Sequence, residues 1–240
     1  MPGRPSAMAG GKVPAKGGAA VERFLAKLKA TPARGASPGK PGRLLFAMDA
    51  TASRKPSWDQ ACQIQGEMFL VTQDLGGLEV QLCYYRGFFE FEATRWLASS
   101  AELVRRMAGV DCRGGQTQIG RALRHAVDES KAGRVDAFVF VGDSFEEELD
   151  TVCRIAGEMG LRGLPAFMFH EGADQAAERA FREIARLSGG AYCAFDAASA
   201  GQLRELLSAV AVYAAGGRAA LEDYGRKTGG LARRLSHRRS

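Results

Sequence analysis

Leu44-Leu-Phe-Ala-Met48 is an unbroken apolar run that follows Arg43 and gives way at once to Asp49-Ala-Thr51-Ala-Ser53. Periodicity alone does not separate so short a run from buried helix, but Pro41-Gly42 before it and the small polar residues after it favour a strand. Such a strand is covered on both faces, which places it in a parallel sheet. Downstream, Ala61, Ile64, Met68, Thr72 and Leu75 share one face of a helix predicted over Trp58 to Leu75 and ended by Gly76-Gly77. Leu78 to Tyr85 and Phe88 to Thr94 read as β segments separated by Arg86-Gly87, an antiparallel hairpin at a sheet edge. A helix over Ser99 to Met107, a loop over Gly109 to Gln116 and a helix over Thr117 to Ser130 follow. Val135 to Val141 is a second buried strand, and helices over Glu146 to Met159, Gln175 to Leu187 and Ala200 to Ala215 alternate with strands Leu164 to Phe169 and Ala191 to Phe195. This order predicts an α/β fold, Rossmann-like and doubly wound, with a mostly parallel sheet, one antiparallel edge strand and helices on both faces.

The chemistry gathers at strand ends, where ligands of such open sheets bind. Asp49, Thr51 and Ser53 fall beyond the first strand, and Val139-Phe-Val-Gly-Asp143 delivers a second carboxylate beyond another. Gly114-Gly-Gln-Thr117-Gln-Ile-Gly-Arg-Ala-Leu123 adds a hydroxyl in a glycine-loosened loop where a helix begins. Oxygen donors of this kind suit magnesium, manganese or calcium better than zinc. Each part also has a bland reading. Thr117 fits a helix cap, and Ser144-x-x-Glu147 fits a capping box, with Glu146-Glu147-Glu148 set favourably at a helix N-terminus. Alternatively the three glutamates form an acidic rim that selects what approaches an ion.

Together, Asp49-x-Thr51-x-Ser53, Thr117 and Asp143 resemble the metal-ion-dependent adhesion site (MIDAS) of von Willebrand factor type A (VWA) domains, over about residues 43–213. The family pattern is Asp-x-Ser-x-Ser, a loop threonine and a strand-end aspartate, so Thr51 stands where serine is usual. The resemblance implies a VWA fold in which Ser53 and Thr117 ligate the ion directly, while Asp49 and Asp143 act directly or through water. It further implies a non-enzymatic module whose bound Mg2+, or Mn2+ or Ca2+, captures an Asp or Glu of a partner protein. Members of this kind often work within multi-protein assemblies or beside AAA+ ATPases.

Charge changes the picture mainly at the ends. The 240 residues carry a net +6, of which residues 1–40 hold +7 and residues 217–240 hold +5, leaving −6 for 41–216. We therefore divide the chain into a flexible basic segment 1–42, a VWA domain 43–216 and a basic tail 217–240. Val21, Phe24, Leu25 and Leu28 share a face, predicting a short helix over 21–30 that is marginal alone and expected to dock on the core or a partner. Exposed basic ends attract phosphate, so a Ro-like association with nucleic acid is the alternative function. No apolar run is long enough to span a membrane, and Met1 to Ala20 lacks a signal-peptide core, which points to a cytoplasmic protein. Cys62, Cys83, Cys112, Cys153 and Cys193 are scattered without a Cys-x-x-Cys pair, as reduced core thiols are. His125, His170 and His237 are isolated, and Trp58 and Trp96 read as packing residues. A metal-dependent phosphohydrolase using Asp49 is less favoured, because such enzymes show Asp-x-Asp-x-Thr and position 51 is Thr; a nucleotide-cradling Gly-x-x-x-x-Gly-Lys loop is also missing.

Overall fold

The computed structural model describes residues 16–32, 40–54, 58, 67–195 and 200–227. Strands β1 (Gly42–Asp49), β2 (Leu78–Arg86), β3 (Glu90–Ala93), β4 (Ala137–Gly142), β5 (Ala166–Glu171) and β6 (Ala191–Phe195) form one sheet in the order β3-β2-β1-β4-β5-β6. All neighbours are parallel except β2 and β3. The predicted α/β fold class is thereby observed, antiparallel edge strand included. The chain winds outward from β1 through β2 and then returns to place β4 on the other side of β1. That reversal opens a crevice beyond the carboxyl ends of β1 and β4.

Alternation along the central strands builds two apolar layers. Leu44, Phe46, Met48, Val139, Val141, Phe167 and Phe169 face one way, and Leu45, Ala47, Phe138, Phe140 and Met168 face the other, all buried. The first layer packs under helices α1 (Lys16–Ala30), α2 (Ser100–Ala108) and α6 (Ala200–Lys227). The second packs under α3 (Ile119–Ala132), α4 (Leu149–Leu161) and α5 (Gln175–Ser188). Helix α1 lies against β6 and α6 and buries Val21, Phe24, Leu25 and Leu28, with Phe24 in ring contact with Phe167 and Phe169. Thr31 donates from its hydroxyl to the Gly189 carbonyl, and Tyr213 donates to that of Pro32, so the end of α1 is tied down at two points.

Several expected boundaries shift, each for a local reason. The β2–β3 register pairs Arg86 with Glu90, so Gly87, Phe88 and Phe89 form a three-residue loop and β3 is shorter than Phe88 to Thr94. Gly87, at φ 59°, opens the loop in the left-handed conformation that glycine adopts at little cost. The helix expected over Trp58 to Leu75 is described at 58 and 67–70, then tightens into a 3-10 turn at Gln73–Leu75; Ala61, Ile64 and Cys62 lie outside the described residues. Helix α6 does not stop at Ala215 but runs to Lys227 through a break at Gly217 (φ 67°), and burial of Leu221 holds the extension on the core. Residues 16–32 and 217–227 thus make core contacts outside the expected 43–216 boundaries.

Among the described residues Cys83, Cys153 and Cys193 are free thiols, and burial pushes the Cys193 thiol up to about 11. Trp58 is buried and donates to the Met107 carbonyl, while Trp96 donates to Glu129 under the Arg43 guanidinium; both pack, as expected. No helix among the described residues is long and apolar enough to cross a membrane.

Candidate metal centre

Hydrogen bonding to the central strands carries Asp49 to the crevice and buries it. The backbone then turns outward: Ala50 donates to the Tyr85 carbonyl and accepts from the Arg113 amide. Asp49 Oδ1 accepts the Thr51 amide at 2.7 Å, the local turn that aspartate favours. A 3-10 turn, Ala52–Arg54, follows and places the Ser53 hydroxyl 3.3 Å from that of Thr51. Ser53 donates to Asp143 Oδ2 at 3.0 Å, joining the ends of β1 and β4 across the switch point. The other oxygen, Asp143 Oδ1, is buried with no hydrogen-bond partner among the described residues.

Thr117 reaches the same crevice from the loop before α3. It does not cap that helix; Gln118 is the N-cap residue. Instead Thr117 and Glu146 clasp reciprocally: the Glu146 amide donates to Thr117 Oγ1 at 3.0 Å, and the Thr117 amide donates to Glu146 Oε2 at 3.2 Å. The predicted Ser144/Glu147 capping box does not form either. Glu147 extends across to α3, where its carboxylate accepts from the Ile119 and Gly120 amides and so serves a helix other than its own. With both glutamates engaged elsewhere, α4 begins at Leu149 rather than Glu146. Burial raises the Glu147 carboxyl above its ordinary value, against the two amides that lower it.

An open cleft of about 250 Å³ results, lined by Asp49, Thr51, Ser53, Thr117, Gly114, Gly115, Ser144 and Glu146. Of the five residues singled out in the sequence, Asp49, Thr51, Ser53 and Thr117 line it, and Asp143 is attached through Ser53. Ser144 and Glu146 are additions; the acidic run drew notice to Glu146, but its clasp to Thr117 spans 29 residues and has no local signal. His125 and His170 do not line the cleft. Under it the fully buried Tyr85 phenol is pushed well above its ordinary value by burial, then by the charges of Asp49, Glu147 and Asp143. It stays protonated, a neutral floor to a negative site.

Among the described residues no three His, Cys, Asp or Glu side chains converge on a common metal position, so any ion here must use the hydroxyls. A donor set of carboxylate and hydroxyl oxygens with one buried, unpartnered carboxylate oxygen fits a hard divalent cation.

The fold has known counterparts. The structure resembles the VWA domain of SpRpn10, with a TM-score of 0.53 and 13% identity over 74% of this chain and 97% of that one. It also resembles the vWF domain of the type V pili tip protein Mfa5 from Porphyromonas gingivalis, with a TM-score of 0.58 and 8% identity over 72% and 94% of the two chains. The chain has a VWA fold. A third counterpart is proximal thread matrix protein 1 from the mussel byssus, described with a zinc-occupied MIDAS motif: TM-score 0.56, 12% identity, and 72% and 48% of the two chains. The chain spans 61% of the PilB minor pilin from Streptococcus sanguinis and 30% of the Lactobacillus rhamnosus pilus adhesin SpaC, so those likenesses cover only a part of either protein. At such identities the likeness is one of fold alone. No protein-family model and no curated protein matches the sequence.

Proposed function

We propose that this VWA domain is a non-enzymatic protein-binding module in which Asp49, Thr51, Ser53, Thr117 and Asp143 hold a divalent cation, magnesium or manganese in the first instance. The ion supplies positive charge at the cleft, where it attracts an Asp or Glu side chain of a partner protein. The observation that carries the reading is Asp143 Oδ1, a buried carboxylate oxygen beside the Ser53 hydroxyl and without a donor among the described residues. Burying such a charge uncompensated is costly, and a cation at this position offsets it. The chain's own residues prepare the site. The Thr51 amide orients Asp49, Glu146 fixes Thr117, and Tyr85 remains neutral beneath.

Thermal unfolding tests this directly. Magnesium or manganese at about 100 times its dissociation constant stabilises the folded state by about 2.7 kcal/mol. The upward shift should disappear in Ser53→Ala, which removes an exposed hydroxyl of the proposed donor set, while the variant's melting temperature without metal reads the loss of its bond to Asp143. No shift with magnesium, manganese or calcium at millimolar levels overturns the reading. Partner capture should likewise be lost in EDTA, with AAA+ ATPases among the proteins to probe. Retention of nucleic acid that resists EDTA and falls steeply with salt supports the alternative carried by the basic ends.

A further inference from the structure

The β2–β3 hairpin ends beside the cleft and holds two phenylalanines in solvent: Phe88 is 61% and Phe89 85% exposed. Their backbone is fixed. The Gly87 carbonyl accepts from the Gln116 amide at 3.1 Å, and the Phe89 carbonyl from Arg121 Nη1 at 2.9 Å. Gln118 Nε2 donates to the carbonyls of Arg86 and Glu90, at 3.4 and 3.3 Å. Contact with the Thr117 loop is so close that a Cβ on Gly115 would lie 1.9 Å from the Gly87 carbonyl oxygen. Gly115 lines the cleft, so the aromatic tip and the cleft share one wall.

We propose that the hairpin tip and the cleft form one docking surface for a partner-protein segment that carries an Asp or Glu close to an apolar residue. This deepens the metal-site reading and rests on it: the carboxylate enters the cleft and the apolar side chain covers Phe88 and Phe89. Charge complements the choice. Arg121 is exposed beside the tip, with its guanidinium 5.3 Å from the Phe91 ring centre, and among the described residues it has no carboxylate partner. A second acid in the segment therefore has a cation to meet. The chain's own ends do not fit this role, because residues 1–15 and 228–240 contain basic residues and no Asp or Glu. An anionic membrane is disfavoured by the Asp49 and Glu146 carboxylates at the adjoining cleft. Rigid aromatic groups at the edge of a charged pocket are typical anchors of protein recognition.

A random-peptide library selected on the full chain in magnesium tests this, followed by titration of one recovered synthetic peptide. The recovered peptides should pair an acid with an apolar residue, and binding should vanish in EDTA. The Phe88→Ser/Phe89→Ser variant should bind the peptide about 30-fold more weakly, with its melting temperature and magnesium-induced shift unchanged; Phe89→Ser alone should give part of that loss. EDTA-sensitive binding of equal strength in the double variant overturns the docking surface and leaves the metal reading standing. Failure of the magnesium shift in wild type overturns the metal reading by itself, before any peptide is used. Failure to recover a metal-dependent peptide overturns the proposal. So does tip-dependent pelleting with phosphatidylserine vesicles, or a tip-dependent dimer of this chain, in place of peptide binding.

Discussion

Glu147 shows how much a single side chain settles here. Its carboxylate accepts two backbone amides at the start of α3, and the segment it fixes carries Thr117. Glu147→Ala should cost about 1–2 kcal/mol, the range of a lost helix cap, measured by denaturant unfolding, and should also weaken magnesium stabilisation; Glu147→Gln should restore part of the first effect. His125 gives a pH-dependent counterpart. Its ring contacts Gln81 Oε1 at 3.0 Å, and burial lowers its pKa, against the raising influence of Glu129 and Asp128. A histidine with a lowered folded-state pKa stabilises fully above its unfolded value and loses that contribution as pH falls through the folded value. Stability measured between pH 7 and about pH 5 should therefore fall toward acid, and His125→Gln should reduce the slope. The alternation Asp49-x-Thr51-x-Ser53 was readable at this scale because all three residues belong to one local turn. The Glu146–Thr117 clasp was not, because it joins residues 29 apart.

At the scale of elements, the apolar stripe of α1 was legible but its receptor was not. Val21, Phe24, Leu25 and Leu28 fit a surface made by β5, β6 and α6, which lie more than a hundred residues downstream. Phe24→Ala should destabilise by about 3–5 kcal/mol, the cost of emptying a filled aromatic position, as read from chemical denaturation. If α1 were a loosely attached extension, the change would be near zero. The helix starts followed a different logic. Local rules put caps at Thr117 and Ser144, yet both segments took partners across the crevice, so α3 began two residues later than predicted and α4 three.

For the whole molecule, charge and fold divide differently along the chain. The composition shift set domain boundaries at 42 and 216, whereas buried contacts extend to Val21 on one side and Leu221 on the other. A fragment of residues 41–216 removes α1 and exposes the apolar surface beneath it; we expect it to unfold at lower denaturant or aggregate. Residues 16–227 should keep the stability and the metal response of the full chain. Equal stability of the two fragments, by urea titration, would show that α1 and the end of α6 contribute nothing.

The sequence by itself determined the strand and helix order, the parallel core with its antiparallel edge, and the three segments that carry the oxygen donors, because these follow from apolar periodicity and from residues adjacent in the chain. Tertiary structure alone decided that Ser53 would bond Asp143 across the switch point and that Glu146 and Glu147 would serve the Thr117 loop and α3 instead of their own helix. It also decided that the hairpin tip would lie against Gly115, and that α1 would complete the core. Each of those outcomes pairs groups distant in sequence, and the choice among possible partners is made only when the sheet order brings their ends together.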